Sequence, residues 1–137
     1  MNQNTIVLRG KGHHEEAVLL TGTVLPGQPV IVAGSENAVV LSNAGIPFWI
    51  VKEDALQGRT VRIAYKAGEK LFIYKPLPGD VISVLVASGQ TIGDGTQAVL
   101  GAGGKFVAGS VDSIGYFLDT SDGAPLAEDT LMSVRIE

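Results

Sequence analysis

The sequence of 137 residues contains no cysteine. Disulfide bonds, thiolate nucleophiles and cysteine-based metal sites are therefore excluded, and cysteine usage gives no information about the redox compartment. Only 18 % of the residues are charged and 6 % are aromatic, whereas 45 % are hydrophobic. Because soluble domains usually carry about 25 % charged residues, we expect this chain to bury additional surface between subunits or against a larger partner.

Basic residues are also scarce, with 10 Lys and Arg against 14 Asp and Glu and a formal net charge of −4. We therefore expect no nucleic-acid partner, because binding to phosphates requires a basic surface. No apolar run approaches the roughly 18 residues of a membrane-spanning helix, and residues 1–11 lack the apolar segment of a signal peptide. We expect a soluble protein made in a cytoplasm, with no membrane partner.

Glycine is abundant, with 18 residues, and short bursts of Val and Ile alternate with turn-forming residues. This pattern predicts an all-β chain of about nine or ten short strands, folded as a compact small barrel or sandwich. In the last of these strands Met132, Val134 and Ile136 occupy alternate positions and give one fully apolar face.

We expect one short helix at residues 60–68. Thr60 is a suitable N-cap and Gly68 a suitable residue to follow the helix C-terminus. The intervening segment makes at most about two turns, so this helix needs tertiary support.

The first 16 residues differ in composition from the rest. A polar start is followed by four β-prone residues at positions 5–8 and by a charged segment with two glycines at residues 9–16. Two interpretations remain open: an extended arm that lies on a partner, or an ordinary first strand of the sheet. We expect an arm at residues 1–16 and one β-rich domain at residues 17–137.

Side chains suited to chemistry are few. His13 and His14 are adjacent, and in an extended chain they point to opposite faces, so they are unsuited to share a metal ion. The segment GAGGK at residues 101–105 lacks the spacing and the hydroxyl of a phosphate-binding loop. The paired acids lie in turn-like segments. We therefore expect no catalytic residue, no cofactor and no metal, and hence no enzyme.

Phe48 and Trp49 are consecutive in a predicted strand and therefore point to opposite faces. One of them is expected to enter a core while the other is free for a subunit contact, since tryptophan is enriched at interface centres. A loop or the short helix is an alternative cover for the second face.

Several segments, in this order and spacing, resemble the decoration (cement) proteins of tailed-phage capsids. They are DALQG at 54–58, AYKAGE at 64–69, PGDV at 78–81 and ASGQTIGDG at 87–95, and a looser likeness extends from about residue 17 to the C-terminus. The resemblance implies a β-tulip-like fold and a structural role on the exterior of the virion. The implied partners are the major capsid protein and further copies of the chain, commonly as a trimer that bridges capsomers.

The resemblance also suggests which residues make those contacts. Residues expected to touch the capsid or a neighbouring trimer are Thr5, Ile6, Val7, Leu8 and Arg9. Candidates for the trimer contact are Trp49, Arg59, Arg62 and Tyr65.

An alternative from another class is a small ligand-binding domain or a lipoyl- or biotinyl-like carrier. The turn-forming residues between positions 78 and 92 are typical of such carriers. They present a modified lysine at a hairpin tip, but no lysine lies between Lys75 and Lys105.

Overall fold

The computed structural model of the chain describes residues 5–33, 37–40, 48–53 and 61–137. Within these ranges it consists of strands and turns with a single turn of 3-10 helix at Ala102–Gly104, so the predicted all-β fold is confirmed. The strands are β1 (Val7–Arg9), β2 (His13–Leu19), β3 (Thr23–Val24), β4 (Pro29–Ala33), β5 (Asn37–Val40), β6 (Trp49–Lys52), β7 (Tyr65–Lys66), β8 (Lys70–Lys75), β9 (Val81–Val86), β10 (Gln97–Leu100), β11 (Phe106–Ala108), β12 (Gly115–Phe117) and β13 (Thr130–Ile136).

Five strands of the first half close into a barrel in the order β2-β5-β4-β6-β8, here called the first barrel. Strand β2 lies antiparallel to β8 and parallel to β5. Because side chains alternate along each strand, Leu19, Leu71 and Ile73 enter the interior, where each is at most 1 % exposed. The two-stranded pairing of β3 with β7 adds the buried side chains of Val24 and Tyr65 to the same core.

Strand β1 and the five strands of the second half form a six-stranded sheet in the order β1-β9-β11-β10-β12-β13. Strand β9 also pairs with β13 along its whole length, so the sheet curls back on itself. We call it the second sheet. The apolar face predicted for the last strand is confirmed, since Met132, Val134 and Ile136 all lie in the core enclosed by this sheet.

The first barrel packs its outer surface on the second sheet. The side chains of Phe48, Ile50 and Tyr74 point away from the interior of the first barrel and belong to the core of the second sheet. There the centre of the Phe48 ring lies 5.9 Å from that of Phe106. Trp49 packs against the core of the first barrel instead. The predicted division of Phe48 and Trp49 between opposite faces is thus confirmed, and both faces of β6 are covered within one chain.

The predicted helix at residues 60–68 is wrong in its described part. Residues 61–62 form a turn, and Tyr65–Lys66 is strand β7, which pairs with Thr23–Val24. Residue 60 lies outside the described residues.

Burial of Tyr65 explains why this segment is extended. The side chain is fully buried in the first barrel, and its hydroxyl donates a hydrogen bond of 2.9 Å to the carbonyl of Lys52. Gly68 has a positive φ of 89° as the helix-end prediction required, but it serves a β-turn in which the N–H of Glu69 bonds the carbonyl of Lys66. Tertiary burial outweighs the weak helical preference of so short a segment.

The boundary predicted between an arm at residues 1–16 and a domain at 17–137 falls inside strand β2. His13 pairs with Lys75, and the ladder continues without interruption to Val18 and Lys70. Upstream, β1 pairs with β9. Residues 7–9 therefore match the second interpretation of this stretch, that of a first strand in a sheet.

A buried carboxylate fixes the linker between β1 and β2. Oδ1 of Asp80 accepts the N–H of Lys11 at 3.0 Å, and Oδ2 accepts the Tyr74 hydroxyl at 2.5 Å and the N–H of Leu77 at 2.9 Å. The Tyr74 oxygen in turn accepts the N–H of Gly12. These five residues, here called the Asp80 network, join the linker to the turn that connects β8 and β9.

The two acids of this network have shifted pKa values. Burial alone would raise the pKa of Asp80, but the hydrogen bonds from Leu77, Tyr74 and Lys11 outweigh burial and hold that pKa below its usual value. Burial, and then the bond to Asp80, raise the pKa of Tyr74 to about 12. The phenol therefore remains a donor and the carboxylate an acceptor over a wide pH range.

Two glycines permit the close approach of the linker. A Cβ atom on Gly10 would lie 2.1 Å from the Tyr74 hydroxyl, and one on Gly12 would lie 2.1 Å from the carbonyl oxygen of Lys75. Any larger residue at either position would have to displace the linker from the network.

Replacing Tyr74 by Phe is expected to lower the free energy of unfolding at neutral pH by about 1–3 kcal/mol, because a buried donor and acceptor lose their partner. Since the folded-state pKa lies above the ordinary value of 10.0, the contribution of the phenol is complete below pH 10. It is lost as the pH rises toward 12. Denaturant unfolding at several pH values measures the difference between wild type and variant, which should shrink from pH 10 upward.

The matched control is Tyr116→Phe on β12, a half-buried tyrosine outside the network. A wild-type-to-Y74F difference that stays constant between pH 9 and pH 12 would show that Tyr74 titrates normally.

Replacing Gly12 by Ala is expected to destabilise the fold by about 1–3 kcal/mol, because the new methyl group overlaps backbone that has no room to move. Gly93→Ala is the control, since its Cβ would meet only the Thr96 hydroxyl, at 3.4 Å. Thermal unfolding compares the two. Equal stability of both variants would contradict a tightly docked linker.

Candidate interaction surfaces

The five N-terminal residues predicted to touch a capsid are held against the domain. The Thr5 hydroxyl and the N–H of Ile6 donate to the two carboxylate oxygens of Glu53, at 3.1 Å and 3.0 Å. The Ile6 side chain is fully buried, and its carbonyl accepts the N–H of Ser83 at 2.7 Å. Ile6 therefore contributes to the core and has no surface to offer a partner.

The remaining members of this group differ in exposure. Val7 is half-buried, whereas Leu8, at 42 % exposure, and Arg9 face solvent from strand β1. Their contact with a capsid stays a prediction, and Leu8 and Arg9 are the side chains that β1 makes available for it.

The four candidates for a trimer contact are not equivalent. The side chain of Tyr65 is wholly enclosed, and its hydroxyl donates to the carbonyl of Lys52. Arg62 is exposed and Trp49 half-buried. Arg59 lies outside the described residues.

Trp49 is half-buried, packs against the core of the first barrel and contacts two polar side chains. The His13 ring meets it edge-on at 6.0 Å, and the Lys75 ammonium lies 5.4 Å from its ring centre. The carboxylate of Glu15 contacts Nε2 of the same His13 ring at 2.7 Å. The indole is thus partly covered by its own chain, and only its remaining edge can meet a partner.

His13 and His14 point in opposite directions, as the alternation of a strand predicts. The His14 ring lies against the Tyr74 ring, with centres 4.7 Å apart and planes tilted by 54°, and its Nδ1 lies 2.9 Å from the Lys52 ammonium. Burial, followed by the charge of Lys52, lowers the pKa of His14. Across the part of the chain that the structure describes, no three His, Cys, Asp or Glu side chains are grouped as metal ligands.

A groove of about 380 Å³ adjoins Arg62. Its apolar lining comes from Leu25, Pro26, Val61, Leu85 and Leu131, and its polar lining from Arg62, Glu128, Asp129 and Thr130.

One of the two acids that line this groove, Asp129, is bonded by its own chain. Asp129 bonds the Lys105 ammonium at 2.7 Å and the N–H of Ser88 at 2.9 Å. These bonds, Lys105 first, lower its pKa.

A line of side chains crosses the outer face of the second sheet. Arg9, Val81, Arg135, Tyr116 and Gln97 are successive cross-strand neighbours on β1, β9, β13, β12 and β10. Directly opposed residues share one face of a sheet, so these five form one row. We call it the outer row.

The outer row presents side-chain hydrogen-bond donors at the protein surface. Arg9 and Gln97 are exposed, and Arg135 and Tyr116 are half-buried. Neither guanidinium forms an ion pair with a described residue. Nε of Arg135 is buried and has no hydrogen-bond partner in the described structure. Such buried, unpaired donors are uncommon in folded proteins.

Sequence analysis found only Arg9 of this row. Because Arg135 alternates with the apolar residues of its strand, the sequence did indicate that its side chain lies on the outer face. Its alignment with Arg9 was not predictable, because it depends on β1 and β13 flanking the same strand.

No helix among the described residues is long and apolar enough to cross a bilayer.

Comparison with known proteins finds a structural likeness without a sequence family. The sequence matches no family model and no curated protein. Among solved structures, the crystal structure of the head fiber gp8.5 N base in bacteriophage phi29 superposes with a TM-score of 0.61. The match covers 93 % of this chain and 95 % of that chain at 14 % sequence identity. This chain therefore has the fold of the N base of the phi29 head fiber.

Proposed function

We propose that this chain is a non-enzymatic structural protein of a phage head, which binds the outer surface of the mature capsid and stabilises it. The observation that carries the proposal is the shared fold with a phage head fiber base over nearly the whole of both chains. The resemblance of four sequence segments to capsid decoration proteins supports the same class of function. The partner is then the major capsid protein.

The docking of residues 5–12 against the rest of the described chain determines how such a contact is made. Since Ile6 is a core residue and the Asp80 network holds the linker, the capsid meets a formed strand and not a loose arm. Leu8 and Arg9 are its exposed side chains. A preformed surface loses little conformational entropy on binding.

We further propose that the protein acts as a homotrimer that bridges capsomers. Each trimer then combines three modest contacts, which gives a much higher avidity than one contact alone. Of the four candidates for the trimer contact, Trp49 and Arg62 are the described ones whose side chains reach the surface.

A ligand-binding role is the second candidate, and one observation favours it. The groove beside Arg62, at about 380 Å³, lies within the usual range of small-molecule sites. A carrier role would require a lipoyl or biotinyl group on a lysine, which intact mass spectrometry of the purified protein detects directly.

The capsid proposal is tested by co-sedimentation with expanded shells of the phage that encodes the chain, stripped of their surface proteins. Saturable binding is expected on expanded shells and not on unexpanded ones, because expansion rearranges the outer lattice. Shells that retain the protein should also resist heating better. Failure to sediment with expanded shells would refute the proposal.

The trimer contact is tested with Arg62→Glu, which should shift the monomer–trimer balance toward monomer by like-charge repulsion or loss of a pairing. Sedimentation velocity over a range of concentrations measures the balance. Lys70→Gln, an exposed position on β8, is the control. A wild-type protein that is monomeric at every concentration, both free and on shells, would exclude the trimer.

A further inference from the structure

We propose that the outer row is a docking surface for a carboxylate-rich segment of a protein partner. The row consists of Arg9, Arg135, Tyr116 and Gln97, aligned across the second sheet with Val81 between the two arginines. The identity of that partner as the capsid shell rests on the proposed function, whereas the chemistry of the surface does not.

The two guanidinium groups are spaced for joint use. Arg9 on β1 and Arg135 on β13 are both paired with Val81 of β9, the strand that lies between them. Strands lie about 4.8 Å apart, so the two backbones are separated by roughly 10 Å. Arginine side chains are long enough to reach one acidic group or two adjacent ones from such positions.

The unpaired Nε of Arg135 points to the kind of ligand. A buried donor without an acceptor destabilises the free protein, whereas an apolar side chain at the same strand position would carry no such cost. A carboxylate accepts from Nε–H and an Nη–H together in a planar, two-bond arrangement. An acidic side chain of a partner would therefore satisfy a donor for which the described residues provide no acceptor.

The surroundings of the row favour a negatively charged protein surface. The row contains no acidic residue, although the whole chain carries a net charge of −4. The nearby carboxylate of Asp80 is occupied by the hydroxyl of Tyr74 and by backbone N–H groups. Arginine and tyrosine are also the residues most enriched at the energetic centres of protein interfaces.

A nucleic acid is a poor occupant of this surface. Two arginines on a net acidic chain supply too few cations to hold a phosphate backbone. Exposed Leu8 lies next to Arg9 on β1, the strand at the end of the sheet's strand order, and so adjoins the row. The partner segment thus meets donors on the sheet face and an apolar side chain at its edge.

The decisive variants are Arg135→Met and Arg9→Gln. Each should weaken binding to expanded shells by about tenfold or more, since interface arginines often dominate affinity. Arg135→Met should leave the thermal midpoint unchanged or raise it, because the variant has no unpaired donor. Loss of binding without loss of stability separates a docking role from a structural one.

Two further variants sharpen the test. Arg135→Lys keeps the charge but not the planar pair of donors, so intermediate binding is expected. The double variant Lys66→Gln, Lys70→Gln removes the same charge as the two row variants together. Both lysines are exposed and lie outside the row, so the control should bind like wild type.

A peptide of six glutamates tests the surface without a shell, with a six-glutamine peptide as control. In NMR titrations, salt-sensitive amide shifts are expected at Arg9, Tyr116 and Arg135 with the acidic peptide only, and none in the variant lacking both arginines. If wild type fails on shells but shows these shifts, the capsid role is refuted and the docking surface stands. Unchanged shell binding by both arginine variants, or glutamate-induced shifts located elsewhere, would overturn the docking surface.

Discussion

The carboxylate of Asp80 ties together parts of the chain that are far apart in sequence, and the relative placement of the first barrel and the second sheet depends on it. Its bonds reach Lys11 before β2, Tyr74 at the end of β8 and Leu77 in the turn before β9. Strand β2 belongs to the first barrel and β9 to the second sheet. One buried ionised group therefore locks both units in register, and its burial is tolerated because each oxygen is bonded.

The same arrangement accounts for the unusual composition. The described residues form two separate apolar cores, one within the first barrel and one enclosed by the second sheet. Outward-facing side chains such as Phe48, Ile50 and Tyr74 also enter the second core. A chain of 137 residues that fills two cores needs many hydrophobic residues and has few positions left for charges, so part of the low charge content reflects internal packing.

Structural features set by neighbouring residues were predictable from the sequence, whereas features set by contacts between distant parts of the chain were not. Period-two alternation correctly gave the β class, the apolar face of β13 and the opposed Phe48 and Trp49. The segment 60–68 failed because burial of Tyr65 in a distant core overrode local capping signals. The placement of Ile6 in the core and the alignment of Arg9 with Arg135 arise from pairing with β9, for which no local pattern exists. The groove beside Arg62 was not predictable either, because its lining comes from four separate segments of the chain.

Strands β1 and β13 flank β9 and run in the same direction as each other, antiparallel to it. Both strands end beside Val81, because Arg9 and Arg135 are each paired with that residue. A pull on β1 toward its N-terminus, opposed by a pull on β13 toward its C-terminus, would load the hydrogen bonds on the two edges of β9 in shear. Bonds loaded in this way must rupture together, whereas a peeled strand loses them singly. The topology is thus suited to withstand pulling, a mechanical property useful to any protein anchored on a particle that swells or collides.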